Sequence, residues 1–90
     1  MGRLDGKTIV VTGAGSGLGL RMTRRFVEEG ANVIGAARNA ERLAKAVEPL
    51  GGKAVAVAGD LGDPDDVARV FDEADKRFGK LDALINNAAL

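Results

Sequence analysis

Apolar residues along this chain switch repeatedly between two spacings. Residues 8–12 (TIVVT) form a short, β-branched and almost wholly apolar run, as a strand buried on both faces requires. From Leu18 the spacing becomes helical: Leu18, Met22 and Phe26 share one face, which predicts an inward stripe, and Gly30 follows Glu28 and Glu29 as a stop. Residues 32–37 (NVIGAA) read as a second strand. Residues 39–50 read as a second helix, with Leu43, Val47 and Leu50 inward and Gly51-Gly52 ending it. Residues 53–58 (KAVAVA) supply a third strand. Asp63-Pro64-Asp65-Asp66 then opens a third helix with a capping acid, proline in its first turn and further acids that complement the helix dipole. That helix is expected to bury Val67, Val70, Phe71, Ala74 and Phe78 and to stop at Gly79, before a fourth strand over residues 81–86 (LDALIN).

The order β-α-β-α-β-α-β, with short connections and no linker or repeat, defines an α/β fold. Right-handed crossovers make the sheet parallel and cover both of its faces. A glycine-rich loop after the first strand makes 3-2-1-4 the expected strand order, the first half of a Rossmann-type doubly wound sheet with its switch point between strands one and four. The sequence stops just past an apolar strand, and a bare strand edge invites association. Residues 1–90 are therefore expected to be a partial, truncated domain.

Composition narrows the chemistry. Thirteen basic and thirteen acidic residues cancel, so nothing advertises nucleic acid or an anionic membrane. The absence of cysteine excludes a disulfide staple, a thiolate nucleophile and a zinc ribbon, and agrees with a cytoplasmic location. The N-terminus carries an acid and lacks a long apolar core, so it is not a signal peptide, and no apolar run approaches the length of a membrane span. His, Tyr and Trp are missing as well. Since acid–base chemistry near neutral pH draws mostly on His, Tyr, Cys or perturbed Lys and carboxylates, the chain is poorly equipped to catalyse alone, and no catalytic residue is assigned.

Binding is better served. Gly13, Gly15, Gly17 and Gly19 fall within seven residues, between a strand and a helix. Such a loop lets the backbone turn sharply and set a diphosphate against a helix N-terminus, where unpaired N–H groups and the dipole attract anions. The spacing is not Gly-x-Gly-x-x-Gly, because Leu18 and Leu20 occupy the places where that fingerprint needs its last glycine; it is Thr12-Gly13-x-x-x-Gly17-x-Gly19. Thr12 and Ser16 add hydroxyls for phosphate or for the turn itself. At the end of strand two an acid would hold the ribose 2′-hydroxyl of NAD, but Ala37 stands there and Arg38 follows, which favours the 2′-phosphate of NADP over NAD. Arg42 could assist, although a surface role suits it better. Asp60 and Leu61, after strand three, suit an adenine amino group and ring, against the plainer reading of a turn. Asn86 reads mainly as a buried structural amide, and Asn87 as the better cofactor contact. The acids Asp60, Asp63, Asp65 and Asp66 are explained by capping and dipole complementation, without a metal.

Taken together, Thr12-Gly13-x-x-x-Gly17-x-Gly19, Asp60-Leu61 and Asn86-Asn87-Ala88-Ala89 resemble the cofactor half of a short-chain dehydrogenase/reductase, over essentially the whole chain. Ala89, where that family usually has Gly, is a mild departure. The resemblance implies that Gly13, Gly15, Ser16, Gly17, Leu18 and Gly19 surround the pyrophosphate, Arg38 the 2′-phosphate, Asp60 and Leu61 the adenine, and Asn87 and Ala88 the ribose region. It implies an oxidoreductase that moves a hydride between NADP(H) and a carbonyl or alcohol. The family's Ser, Tyr-x-x-x-Lys and assisting Asn lie downstream of the Asn-Asn-Ala segment, as do the substrate pocket and the helices of its subunit contacts. The alternatives are a stand-alone dinucleotide-binding module and a structural half-domain that pairs its fourth strand with another chain.

Overall fold

A computed structural model describes residues 2–15, 17–60 and 62–87. Its elements are β1 (Thr8–Thr12), α1 (Gly17–Glu28), β2 (Asn32–Ala37), α2 (Ala40–Val47), a 3-10 turn (Glu48–Leu50), β3 (Ala54–Ala58), α3 (Pro64–Phe78) and β4 (Ala83–Ile85). The four strands form one parallel sheet in the order β3-β2-β1-β4. No helix among the described residues is long and apolar enough to cross a membrane.

Side-chain alternation along each strand divides the core in two. Ile9, Val11 and Val33 point to one face, where Leu43 and Val47 of α2 and Met22 and Phe26 of α1 cover them. Val10, Ile34, Ala36 and Val57 point to the other, where Val70 and Ala74 of α3 complete the layer. β1 is buried at all five positions because it has a strand on each side and helices on both faces. Cβ-branched residues suit such a position, which explains why this stretch shows no polar alternation.

The ends of the helices follow their local chemistry. Asn39 caps α2 by accepting the Arg42 N–H at 3.0 Å. Asp63 caps α3 by accepting the Asp65 N–H at 2.9 Å, and Gly79, left-handed at φ 74°, closes it by donating to the Asp75 carbonyl. The second helix is shorter than its apolar spacing predicts. Pro49 has no N–H to donate, and the chain tightens to 3-10 geometry from Glu48.

Two expected burials do not occur. Leu18 is 61% exposed: Gly19 and Thr23 take the inward face of α1, and the Thr23 hydroxyl donates to the Gly19 carbonyl at 2.8 Å. Phe71 on α3 is exposed, and so is Leu84 in the middle of β4. Both faces of the sheet were expected to be covered. At β4 only one is, since Ala83 and Ile85 pack into the α1–α2 layer while α3 lies over β1 and β2. Val67 and Phe78 are half-buried. β4 is also shorter than residues 81–86, in keeping with a strand that pairs with β1 alone among the described residues.

At the N-terminal edge of the sheet, the Thr8 N–H donates to Asp82 Oδ2 at 2.8 Å and the Asp82 N–H returns a bond to the Thr8 carbonyl at 2.8 Å. The Thr8 N–H, with Lys80 beside it, holds the Asp82 carboxyl below its usual value of 3.8. A depressed folded-state pKa contributes stability above the unfolded value and loses it as pH falls through the folded one. Asp82→Ala should therefore cost stability at pH 7, with the gap to the wild type closing below about pH 4; denaturant midpoints measured from pH 7 to 2 check this, and a constant gap would refute it. Thr8 also buries a hydroxyl, Oγ1, that has no hydrogen-bond partner among the described residues. Thr8→Val keeps the branched shape and removes the unpaired group, so thermal unfolding should show stabilisation of about 1 kcal/mol.

Candidate cofactor site

A parallel sheet brings the C-terminal ends of all its strands to one edge, and there the predicted residues meet. The loop that leaves β1 turns back at once. Gly13 adopts φ +65° and Gly17 φ +56°, values that disfavour any side chain. The Gly13 N–H donates to the Ala36 carbonyl at 2.8 Å, and Ala14, fully buried, lies over Gly35 of β2. A Cβ on Gly35 would come to 3.0 Å from the Ala14 methyl, so a side chain there would press against the seated loop. Gly35 was read only as part of a strand; a glycine inside a strand signals such an approach.

Gly19 is the tightest point. A Cβ there would stand 2.0 Å from the Gly13 carbonyl oxygen and 2.7 Å from Asn87 Nδ2. The first turn of α1 is thus pressed against both the end of β1 and the segment leaving β4. α2 and α3 carry acids in their first turns, Glu41 in one and Asp65 with Asp66 in the other, but α1 carries none. Its positive end is not neutralised from within the helix, and its leading N–H groups have no intrahelical acceptors. Gly17 faces open space on the side where its Cβ would be, and exposed Leu18 borders it. A diphosphate fits such a cradle by its charge and its need for several donors.

Thr12 ties the end of β1 to the segment that leaves β4. Its hydroxyl donates to Asn86 Oδ1 at 3.2 Å and accepts the Asn87 N–H at 2.7 Å. Asn86 is structural in this sense, but it is exposed rather than buried, because no helix among the described residues packs on that face of β4. Asn87 is half-buried, with its amide against Gly19.

The third strand ends nearby. The Gly59 N–H donates to the Ala37 carbonyl at 2.9 Å, which brings Asp60 beside the residue that follows β2. Arg38 Nε stands 3.9 Å from Asp60 Oδ1, both side chains being mostly exposed. Such a pair is worth at most about 1 kcal/mol, so Arg38 can turn to another anion at small cost. Asp60 Oδ1 also accepts the Gly62 N–H at 2.8 Å. Arg42 lies with its stem near Gly15, where an added Cβ would be 3.6 Å from Arg42 Cγ. Ser16, Leu61 and Ala88 lie outside the described residues. Asp66, which the sequence marks as an acid of the helix start, and Arg69, which it does not single out, also reach this edge, and no spacing rule marks them.

The glycine loop, Asp60 and Asn87 thus converge on one edge of a half-Rossmann sheet. The comparisons sharpen this. The short chain dehydrogenase profile matches residues 7–90, and the chain belongs to that family. A short chain dehydrogenase/reductase of Colletotrichum higginsianum is 44% identical over 97% of this chain and 34% of its own length. The L-sorbose reductase of Gluconobacter frateurii, solved with NADPH and L-sorbose, superposes with a TM-score of 0.91 at 37% identity, over 100% of this chain and 35% of that one. A 3-ketoacyl-(acyl-carrier-protein) reductase of Brucella melitensis, solved with NADH, superposes at 0.87 with 38% identity, over 90% and 33%. This chain spans about a third of the length of the curated relatives it matches.

Gly19→Ala tests the packing of the site directly. The methyl would overlap backbone that cannot swing aside, so chemical denaturation should show a loss of about 3 kcal/mol or more. Gly52→Ala, which meets nothing within 4 Å, is the control and should change stability by less than about 1 kcal/mol.

Proposed function

We propose that residues 1–90 are the dinucleotide-binding part of an NADP-dependent oxidoreductase whose substrate is a carbonyl compound or the corresponding alcohol. The observation that carries the cofactor choice is the edge formed by Ala37, Arg38 and Asp60. No carboxylate at the end of β2 opposes a 2′-phosphate, and Arg38, mostly exposed and only loosely paired with Asp60, can turn to meet one. In this reading the loop from Gly13 to Gly19, with Gly15, Ser16 and Gly17, holds the pyrophosphate, and Leu18 gives it an apolar border. Asp60 and Leu61 take the adenine, and Asn87 and Ala88 line the ribose. The bound nicotinamide would supply or receive the hydride.

Catalytic groups would then lie in sequence beyond these residues, since the chain has no Tyr, His or Cys and covers 34% of a relative's length. Among the described residues, the exposed face at Leu84 and the single neighbour of β4 support a sheet that continues in the functional protein. The lack of cysteine supports a reducing compartment such as the cytoplasm.

Isothermal titration of the chain with NADP, NAD, 2′-phospho-ADP-ribose and ADP-ribose tests the proposal. The two ligands with a 2′-phosphate should bind about ten- to hundredfold more tightly, the scale of one charge-assisted contact. Arg38→Asp should reverse that order. Equal affinities would refute the NADP preference, and no binding of any of the four would refute the cofactor assignment.

A further inference from the structure

We propose that Asp66 and Arg69, on the first turns of α3, are positioning residues that set Asp60 for adenine. This rests on the reading of Asp60 as the adenine contact. Asp66 Oδ2 accepts the Asp60 N–H at 2.8 Å. Its other oxygen, Oδ1, meets Arg69 Nη1 at 3.2 Å. Arg69 Nη2 in turn donates to the Ala58 carbonyl, the last of β3. These contacts close a ring: carbonyl 58, guanidinium 69, carboxylate 66, amide 60. Gly59 sits inside it, and a Cβ there would be 2.9 Å from Arg69 Nη2 and 3.2 Å from Asp66 Cβ. Side chains three residues apart on a helix share a face, which lets one face of α3 address two backbone groups of the same loop.

Capping does not account for this arrangement. Asp63 already caps α3, and complementing the dipole needs neither a bond to residue 60 nor an arginine that spends a donor on the carbonyl of residue 58. The ring has a chemical consequence. Asp60 presents its carboxylate at the site edge, with Oδ1 engaged by the Gly62 N–H and Arg38, and Oδ2 without a partner among the described residues. Asp66 places a second carboxylate against the same loop. Arg69 offsets that charge, so that Asp60 is held without being repelled. The ring is anchored by the neighbour of Arg69, Val70, which is 1% exposed in the α3 layer. The position of Asp60 is thereby tied to the core rather than to a free loop, as recognition of one amino group requires.

The test uses the full chain with Asp66→Ala, Asp66→Asn and Arg69→Ala, read by Asp60 amide exchange and by titration with NADP and with inorganic pyrophosphate. In Asp66→Ala the Asp60 amide should exchange at least tenfold faster, and Asp66→Asn, which keeps an acceptor, should restore most of the protection. NADP affinity should fall about tenfold in Asp66→Ala and Arg69→Ala, while pyrophosphate affinity, which reports the glycine loop alone, stays unchanged. A purely structural role would weaken both ligands together, and that result overturns the proposal, as does NADP affinity equal to the wild type in both alanine variants. If the wild type binds pyrophosphate but no NADP, the adenine assignment itself fails and the positioning role falls with it. Wild-type NADP binding that the variants leave untouched removes the positioning role alone.

Discussion

The approach of α1 to the end of β1 is the constraint on which the candidate site depends. With the Gly13 carbonyl 2.0 Å from where a Cβ of residue 19 would be, helix and strand meet backbone to backbone. No other residue lets the first turn come so near. Because the contact is that close, α1 starts directly over the strand end and its leading N–H groups are delivered to the edge of the sheet. The same contact decides which side of α1 faces inward. Gly19 and Thr23 take the inner side, and Leu18 is turned to the outside, beside the loop. Asn87 closes the arrangement from the other strand, so the loop, the helix start and the β4 exit form one unit.

Around that unit the sheet is built unevenly. β1 and β2 have helices on both faces and carry the main apolar layers. β4 has one covered face and one open one among the described residues, and a hollow between the open face and α3 is lined by Leu84, Asn86, Phe71 and the buried Thr12. The hollow is apolar at its floor and polar toward the site edge. Stability is therefore concentrated in β1, β2 and the helices packed on them, whereas the edge that carries Asn86 and Asn87 is held chiefly by three backbone pairings and by the Thr12 hydroxyl. Close backbone contact packs the site where Gly13 meets Gly19, and fewer contacts hold its β4 side.

Much of this was legible beforehand, for identifiable reasons. Strand and helix periods differ, and Asp63, Pro64 and Gly79 mark ends through local backbone chemistry, so element order and the α3 boundaries match the expectation. Where a boundary moved, the cause was also local: Pro49 tightened the end of α2. Burial was harder to read. The Leu18-Met22-Phe26 spacing gives a helix but not its rotation, and the exposure of Phe71 and Leu84 depends on what covers β4. The roles of Gly35, Gly59, Asp66 and Arg69 were illegible because each arises from a contact between separate elements. An Asp and an Arg three residues apart on a helix are, in sequence, an ordinary surface pair.

The amino-acid sequence alone determined the alternation of strands and helices, the parallel sheet through the handedness of crossovers, the 3-2-1-4 order through the glycine loop after the first strand, and the motifs that place the chain in its family. These follow from local conformational preference and the period of side chains, which act within a few residues. The tertiary structure decided which side of α1 faces the sheet, which face of β4 stays open, and how Arg38, Asp60, Asp66 and Arg69 come to share one edge. Those outcomes depend on backbone approach and side-chain reach between elements distant along the chain, and only packing sets such distances.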